Sequence, residues 1–553
     1  MLSPMTTSQA TATRRHAWRW VLLAVVGLLY CTIGVRGLTG PWHWGHNGYN
    51  GAAFSQAAKN SARFGIVGQA PYHYDREPPQ ASEIYTHHPM ALHAHLVASF
   101  ALFGTHEWAA RLVPFLYSLA TWLLLMFAVR RYWGDRTALL AGLVYALTPL
   151  NLIFANMVNH EQGGIFACLL LLYAYLRWFE TGGRLHTVLC AVAVTLAVQF
   201  DWPGYYVAFA IATHCLLTGV RGTAPPGWRS FIGGFSAVTL ANMLAFFGWI
   251  YVTRSGLDEM AEAFQFRSQT PSAGGYVMLL VRRLLLLHGP ILLGAAGIGT
   301  VGSFLTHKGR PLPQRALLPL AFLFAGSIQV LVFPQAAQLH SYWIYYWSPA
   351  LAIAAALGLG LVIERTEMLQ DRSRSVAVPK RWIEPLVVLL FVATQGSLAL
   401  STWHEQLDHG HAADCDDCYF QSLERLWFTA LDEHFDRSTA RFAIHRSVRE
   451  PRTELHYYLD APHRTVERVY PVAADEVLLL DLNNLGRGER NILPYLSRTY
   501  PTVVWMNRFY AIDSRSTETK MTRFDVVEDD PSFLRWWLTT QTSGPPLRWE
   551  RVP

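Results

Sequence analysis

Two carboxylates, Glu161 and Asp201, border apolar segments and are the first candidates for chemistry. Glu161 lies in FANMVNHEQGG, residues 154–164, between two strongly apolar runs, and Asp201 closes a later apolar run. Ionisable groups at membrane depth are costly and are functional candidates, and a carboxylate placed there could act as a general base. The alternative is that both are solvated among lipid headgroups. Their shared side of the membrane and the histidines near them favour a catalytic site.

Histidines cluster in the long polar segment between the first two apolar runs. His46 lies near its start, and His87 and His88 precede a proline at its end. They could belong to a solvated loop or could ligate a metal, because imidazole suits zinc. Their spacing matches no H-E-x-x-H signature, which argues against zinc in this segment. The candidate metal ligands are the adjacent His160 and Glu161. A divalent metal is the one cofactor that the sequence leaves open.

A third group of candidates is aromatic and basic. LHSYWIYYWSP precedes a later apolar run, and its Tyr and Trp rings could anchor a helix at the membrane interface or stack on a sugar. Arg267 and His340 could pair with a phosphate, since a guanidinium offers bidentate donors. The candidate substrate-binding residues are His87, His88, Tyr49, Arg63, Arg267, His340, Tyr342 and Trp343.

The composition indicates a membrane protein. Of 553 residues, 52% are hydrophobic and only 15% are charged, against about 25% charged residues in soluble domains. The net charge of +6 is typical of basic cytoplasmic loops and does not indicate a nucleic-acid surface. We therefore expect lipid as a partner and no nucleic acid.

Apolar runs of spanning length recur as far as residue 400 and predict about eleven transmembrane helices. The predicted spans are 19–37, 112–129, 138–155, 163–178, 187–201, 203–219, 230–252, 286–305, 316–333, 347–364 and 383–400. Four linkers rich in Arg and Lys fall on one side if the N-terminus is cytoplasmic, as the positive-inside rule requires. This count holds if residues 90–104 form an interfacial or re-entrant helix. It places residues 154–164 on the outer side.

The chain divides into two predicted domains. Residues 1–401 form the transmembrane module, with a first outer loop at 38–111, and residues 402–553 form a soluble α/β domain outside the membrane. Cys415 and Cys418 form a C-x-x-C pair in that domain. A disulfide, half a zinc site and a redox pair all fit this spacing, and a disulfide is favoured if the domain is periplasmic.

The order of these elements resembles a known family. A first span, a long outer loop, a His-Pro boundary before an interfacial helix, and GTHEWAARLVP at residues 104–114 resemble the GT-C membrane glycosyltransferases. The nearest branch joins protein O-mannosyltransferases and the lipid A aminoarabinose transferase. The resemblance covers roughly the first 350 residues. It implies transfer of a sugar from a polyprenyl-phosphate carrier to an acceptor hydroxyl on the outer side, usually with inversion.

The resemblance also implies roles for single residues. The family's acidic pair in the first loop is replaced here by Gly45 and His46, so His46, Glu161 or Asp201 could be the general base. His88 matches the residue that contacts the carrier phosphate, and Arg267 and Arg63 could assist it.

We therefore predict a glycosyltransferase of the bacterial inner membrane, with its site facing the periplasm. Its partners would be a polyprenyl-phosphate-sugar donor and a lipid, glycan or protein acceptor. The alternative is a transporter or flippase for a lipid-linked or small polar substrate, which would also place charges at membrane depth. That class often carries inverted repeats, and the sequence shows no internal repeat.

Overall fold

The fold is described from a computed structural model of the chain. The structure describes residues 7–40, 42, 46–65, 68–269, 272–307, 313–372, 379–409, 441–445, 453–466, 476–480, 502–505, 510–513 and 520–523. The chain forms two compact units. The first holds residues 1–40, 45–71 and 79–419, and the second holds residues 41–44, 72–78 and 420–553. The predicted Cys415–Cys418 disulfide lies outside the described residues.

The first unit consists of helices joined by loops, with no strand among its described residues. Its α-helices are α1 Thr7–Arg36, α2 His46–Phe64, α3 Ala91–Phe103, α4 Glu107–Trp133, α5 Asp135–Ala146, α6 Pro149–Ile153, α7 His160–Thr181, α8 Arg184–Phe200, α9 Pro203–Val220, α10 Trp228–Arg254, α11 Asp258–Arg267, α12 Ala273–Leu287, α13 Pro290–Thr306, α14 Leu317–Val332, α15 Pro334–Leu339, α16 Ser348–Arg372 and α17 Ile383–His409. Four 3-10 turns join them: η1 Ala81–Glu83, η2 Gln314–Ala316, η3 Ser341–Trp347 and η4 Lys380–Trp382.

Eight helical segments in the described part of the chain are long and apolar enough to cross a membrane, and α12 with α13 forms a bent pair that would be a ninth. This indicates a multi-pass membrane protein. The expected span at 138–155 is broken into α5 and α6, because Pro149 starts a new helix. The expected span at 187–201 corresponds to α8, which has only 17 residues. The count of eleven therefore stays a prediction.

Residues 90–104, predicted not to span, form the short helix α3 of 13 residues. This length is below the ~20 residues that a transmembrane helix needs. The finding is consistent with an interfacial or re-entrant position.

Two of the basic linkers meet at one end of the bundle, where Arg315 donates to the Tyr132 carbonyl at 2.8 Å. Glu384 at the start of α17 pairs with Arg19 of α1 and, at 3.6 Å, with Arg136 of α5. Arg131, at the end of α4, pairs with Glu180 near the end of α7 at 3.0 Å. The first residue of α7, His160, therefore lies at the opposite end of the bundle from these linkers.

Small residues bring α13 and α16 into close contact. A Cβ added to Gly299 would overlap the carbonyl oxygen of Ala354, and one added to Gly358 would overlap that of Ala295. Membrane helices associate closely where small residues let their backbones approach. The α13–α16 interface therefore requires glycine at both positions.

We expect the Gly299→Val variant to unfold at a clearly lower temperature than the unchanged chain. The new side chain meets backbone, which cannot rotate away, and overpacking costs about 1–3 kcal/mol or more. Thermal unfolding in detergent measures this. Gly297→Val is the matched control on the same helix, because a Cβ at Gly297 meets nothing within 4 Å. Equal destabilisation by both would show that helix propensity, and not the interface, is responsible.

The second unit contains a mixed six-stranded sheet in the order β2-β1-β3-β4-β5-β6. The strands are β1 Arg441–His445, β2 His463–Val466, β3 Glu476–Leu480, β4 Thr502–Trp505, β5 Tyr510–Asp513 and β6 Lys520–Arg523, and helix α18 is Thr453–Leu459. Strands β1 to β4 are parallel, with Phe442 opposite His463, and β5 and β6 are antiparallel. The Trp42 backbone N–H donates to the Tyr458 hydroxyl at 2.8 Å, so part of the first loop belongs to this unit. That the unit is a soluble domain stays a prediction.

Candidate active site

The segment at residues 154–164 is a buried, hydrogen-bonded connection between α6 and α7. The Asn156 side chain donates to the Gly34 carbonyl at 2.9 Å, and Gln162 donates to the Phe154 carbonyl at 2.6 Å. Ser118 of α4 donates to the Ala155 carbonyl at 2.7 Å. These bonds satisfy backbone carbonyls that would be costly to bury unpaired. They fix the start of α7, and with it Glu161.

Asp201 lies in the break between α8 and α9 and is buried. One of its oxygens accepts a hydrogen bond from the Trp202 backbone N–H at 2.8 Å, and the other accepts one from the Tyr346 hydroxyl at 3.0 Å. His88 Nδ1 lies 3.4 Å from the Asp201 carboxylate. The predicted candidates Asp201 and His88 are therefore neighbours.

Gly164 of α7 allows Tyr346 of η3 and Asp201 to approach α7 closely. A Cβ at this position would overlap the Tyr346 hydroxyl and would lie 3.4 Å from Asp201 Cβ. Sequence reasoning identified neither Gly164 nor Tyr346 as a site residue. The glycine pair at the end of HEQGG was the available signal, because glycine allows close approach of another chain segment.

His160 and His88 stack on each other with ring centroids 4.4 Å apart and planes at 14°. Phe54 of α2 meets the His160 ring edge-on, with centroids 5.0 Å apart. Among the described residues, Glu161 Oε2 has no hydrogen-bond partner. Buried polar atoms are rarely left unpaired, so this oxygen needs a reason such as a catalytic role or a bound water or ion. Asp201 interacts electrostatically with both Glu161 and His160, and we call Glu161, Asp201, His88 and His160 the carboxylate–histidine cluster.

A basic group adjoins the cluster through His87. Arg267 of α11 donates to His87 Nδ1 at 3.1 Å, and His87 Nε2 lies 3.6 Å from Glu259. Because a guanidinium can only donate, His87 accepts through Nδ1 and carries its proton on Nε2. Trp202 Nε1 donates to the His87 carbonyl at 3.0 Å, which holds this loop against the start of α9.

The surroundings leave both histidines of this loop neutral at neutral pH. Burial, and then the Arg267 charge, lower the pKa of His87 to about 4. Burial, followed by Arg267 and His87, also lowers the pKa of His88. His88 and Asp201 are therefore not a charged pair, and each imidazole offers one N–H donor.

Burial raises the pKa of Asp201, against the opposing effects of His160, the Trp202 N–H, Tyr346 and Arg267. A folded protein with a raised carboxyl pKa is stabilised below the ordinary Asp pKa of about 3.9, and this contribution is lost as the pH rises through the raised value.

We therefore expect the Asp201→Asn variant to unfold at a higher temperature than the unchanged chain at neutral pH. The difference should shrink as the pH falls through the raised pKa, because Asp201 then becomes neutral too. Thermal unfolding in detergent over a pH series measures the gap. A gap of the same size at every pH would contradict a buried, charged Asp201.

The other predicted residues lie in different settings. Tyr49 and Arg63 are exposed on α2, and Arg63 lies over the Phe64 ring at 5.8 Å. His46 is the first residue of α2, and its side chain is outside the described part of the structure.

The aromatic residues of η3 are buried in the protein. Tyr342 accepts a hydrogen bond from Asn50 of α2 at 3.3 Å, and Trp343 meets Phe333 edge-on. The His340 ring stacks on Trp343, whereas Arg267 contacts His87. Of the two roles considered for these rings, burial argues against anchoring at the membrane interface, because Tyr342, Trp343 and Tyr346 are all buried.

The predicted metal ligands His160 and Glu161 are consecutive residues of α7. Consecutive helical side chains do not face each other, and the His160 ring is stacked on His88. The metal role of His160 and Glu161 stays a prediction.

Comparison with known proteins supports this fold. The family model of dolichyl-phosphate-mannose-protein mannosyltransferases matches residues 87–246. ArnT from Cupriavidus metallidurans bound to undecaprenyl phosphate superposes with a TM-score of 0.55 at 15% identity, over 88% of this chain and 88% of that chain. Archaeal oligosaccharyltransferase AglB from Archaeoglobus fulgidus, in complex with an inhibitory peptide and a dolichol-phosphate, gives 0.52 at 12% identity, over 93% and 75%. No curated protein sequence matches. The resemblance to the GT-C membrane glycosyltransferases is thus confirmed, and the structural matches show the fold.

Proposed function

We propose that the chain is a glycosyltransferase that moves a sugar from a polyprenyl-phosphate carrier to an acceptor hydroxyl. One observation carries the proposal: the buried Glu161, whose Oε2 has no hydrogen-bond partner among the described residues, interacts electrostatically with Asp201. Asp201 in turn lies beside His88, and Arg267 adjoins this group through His87. The family match covers the segment that holds Glu161, Asp201, His87 and His88. The two superposed proteins, which hold polyprenyl phosphates, support the donor class.

In the proposed step, Glu161 accepts the proton of the acceptor hydroxyl. The hydroxyl oxygen attacks the anomeric carbon, and the bond from that carbon to the phosphate oxygen breaks. The carrier phosphate leaves with the bonding electrons, and the configuration inverts. A general base must lie within hydrogen-bond reach of the proton it removes, and Glu161 Oε2 has no protein partner among the described residues to compete for that role.

Arg267 and His88 would stabilise the leaving phosphate. Negative charge that develops on the leaving phosphate is stabilised most by hydrogen-bond donors that are already fixed in a site that excludes water. Arg267 supplies the positive charge, and neutral His88 supplies an N–H. Asp201 accepts hydrogen bonds from Tyr346 and Trp202, which fix the position of its carboxylate. Asp201 would therefore orient the other residues of the cluster. A divalent cation, if one binds, would be held by Glu161 and Asp201 and would polarise the phosphate oxygens.

The proposed location is the bacterial inner membrane, with the site on the periplasmic face. The basic linkers gathered at the other end of the bundle support this orientation, since such linkers favour the cytoplasm. The domain predicted at residues 402–553 would then lie in the periplasm.

The direct test is to incubate the purified protein with radiolabelled polyprenyl-phosphate sugars and follow the release of carrier phosphate. The assay is run with and without a chelator, and with lipid, glycan and peptide acceptors. A transferase releases carrier phosphate and labels an acceptor. Movement of intact donor across proteoliposomes without release would instead support a transporter or flippase.

We expect the Arg267→Gln variant to lose about 10- to 100-fold in kcat/KM, because a hydrogen bond to a charged group contributes about 1.5–3 kcal/mol. Initial rates of carrier-phosphate release against donor concentration measure this. Arg221→Gln is the control, since Arg221 is an exposed arginine outside the cluster. Equal kinetics of the two variants would remove Arg267 from the phosphate site.

A further inference from the structure

Helix α12 exposes an apolar face that no described part of the protein covers. Its outward residues Val277, Met278, Val281 and Leu285 are 58%, 68%, 44% and 45% exposed. Positions spaced by four along a helix share one face. In water such a face would be costly, because burying apolar surface is what stabilises an amphipathic helix.

The opposite face of α12 is held by directed hydrogen bonds. The Tyr276 hydroxyl donates to the Val330 carbonyl at 2.6 Å. Arg283 donates to the Gln338 carbonyl at 2.8 Å and also to the carbonyl of Ala337. The helix therefore cannot roll to hide its apolar side without breaking these bonds.

The direction of α12 relative to α13 indicates which environment covers the exposed apolar face of α12. It is bent by 101° from α13, and α13 is long and apolar enough to cross a membrane only together with α12. If α13 crosses the bilayer, α12 runs nearly in the plane of the membrane. Ile291 and Ile298 of α13 are also exposed, so the apolar surface of α12 continues into the lipid-facing surface of the span.

We propose that α12 lies in the plane of the membrane at the end of α13, with its outward face among the lipid acyl chains. In-plane amphipathic helices sit at the boundary of headgroups and chains, with basic side chains reaching the headgroups. Arg282, exposed beside this face, would contact lipid phosphate. The proposal concerns the membrane itself and does not rest on sugar transfer.

Electron paramagnetic resonance of nitroxide labels tests the proposal. The six cysteines are replaced by serine or alanine, and single cysteines are introduced at Met278, Leu285, Ile291 or Ile298. The labelled protein is placed in nanodiscs of phosphatidylcholine and phosphatidylglycerol. Relative accessibility to oxygen and to a water-soluble nickel complex gives the depth of each label.

The two pairs of labels are matched, because each spans seven residues, or about 10 Å of helix. We expect depths at Met278 and Leu285 that differ by about 2–5 Å, given the 101° bend and a tilt of ~20° for the span. Depths at Ile291 and Ile298 should differ by about 10 Å.

Two outcomes would overturn the proposal. Water-like accessibility at both Met278 and Leu285 would place α12 outside the membrane. A depth difference of about 10 Å between them would make α12 a re-entrant helix that enters the bilayer. Labels at Val277 and Val281 repeat the measurement if a first label disturbs folding, which gel filtration reports for each variant.

Discussion

The Glu161→Gln variant should insert and fold normally and transfer sugar about 10²- to 10⁴-fold more slowly, the range that general-base catalysis contributes. Glutamine keeps the size of the side chain and can still accept a hydrogen bond, but it cannot take the acceptor proton. The loss should appear in kcat, with little change in KM for the donor, because the proton moves only in the transition state. Release of carrier phosphate from labelled donor measures it.

Glu180→Gln is the matched control, because it makes the same change at the other end of α7. Glu180 pairs with Arg131 at 3.0 Å, and exposed ion pairs contribute little to stability. Its activity should stay near that of the unchanged chain. Full activity of Glu161→Gln would remove Glu161 from the mechanism, and if Asp201→Asn were then inactive, Asp201 would become the proton acceptor.

Glu161 and Asp201 could be picked out as candidates from the sequence, because a carboxylate next to an apolar run is costly and is recognisable from the residue order alone. The residues that form hydrogen bonds with the site could not be predicted in this way. Tyr346 donates to Asp201 across 145 positions, and Arg267 reaches His87 across 180 positions. Such partners follow from how the helices pack, and no local spacing encodes that.

The fold shows the same division between local and tertiary information. Apolar length predicted α1, α4, α7 and the other long spans, since spanning a membrane needs about 20 apolar residues whatever surrounds them. It could not show that Tyr342 and Trp343 are buried, because aromatic side chains suit both a lipid interface and a protein core. Sequence also gave no sign that Arg63 is exposed on α2, since this helix carries polar residues on several sides.

The Gly164→Ala variant should lose most of its transfer activity, although Gly164 contacts no substrate in the proposed step. The added Cβ overlaps the Tyr346 hydroxyl, so Tyr346 must move and its hydrogen bond to Asp201 breaks. Overpacking of this kind costs about 1–3 kcal/mol, and leaving a buried carboxylate with one donor fewer adds to the loss. Carrier-phosphate release and thermal unfolding, measured on the same preparations, report both effects.

A second substitution separates the overlap from a general fault in α7. Tyr346→Phe removes the hydroxyl that the new Cβ would strike, and the nearest ring atom, Cζ, then lies 3.4 Å from that Cβ, an ordinary contact. Adding Gly164→Ala to Tyr346→Phe should therefore cost almost nothing further in stability or activity, whereas adding it to the unchanged chain costs both. This non-additivity is expected only where two residues share one contact. Additive losses in the double variant would mean that Gly164→Ala acts by disturbing α7 itself. The absence of a side chain at Gly164 would then not be what allows Tyr346 to reach Asp201.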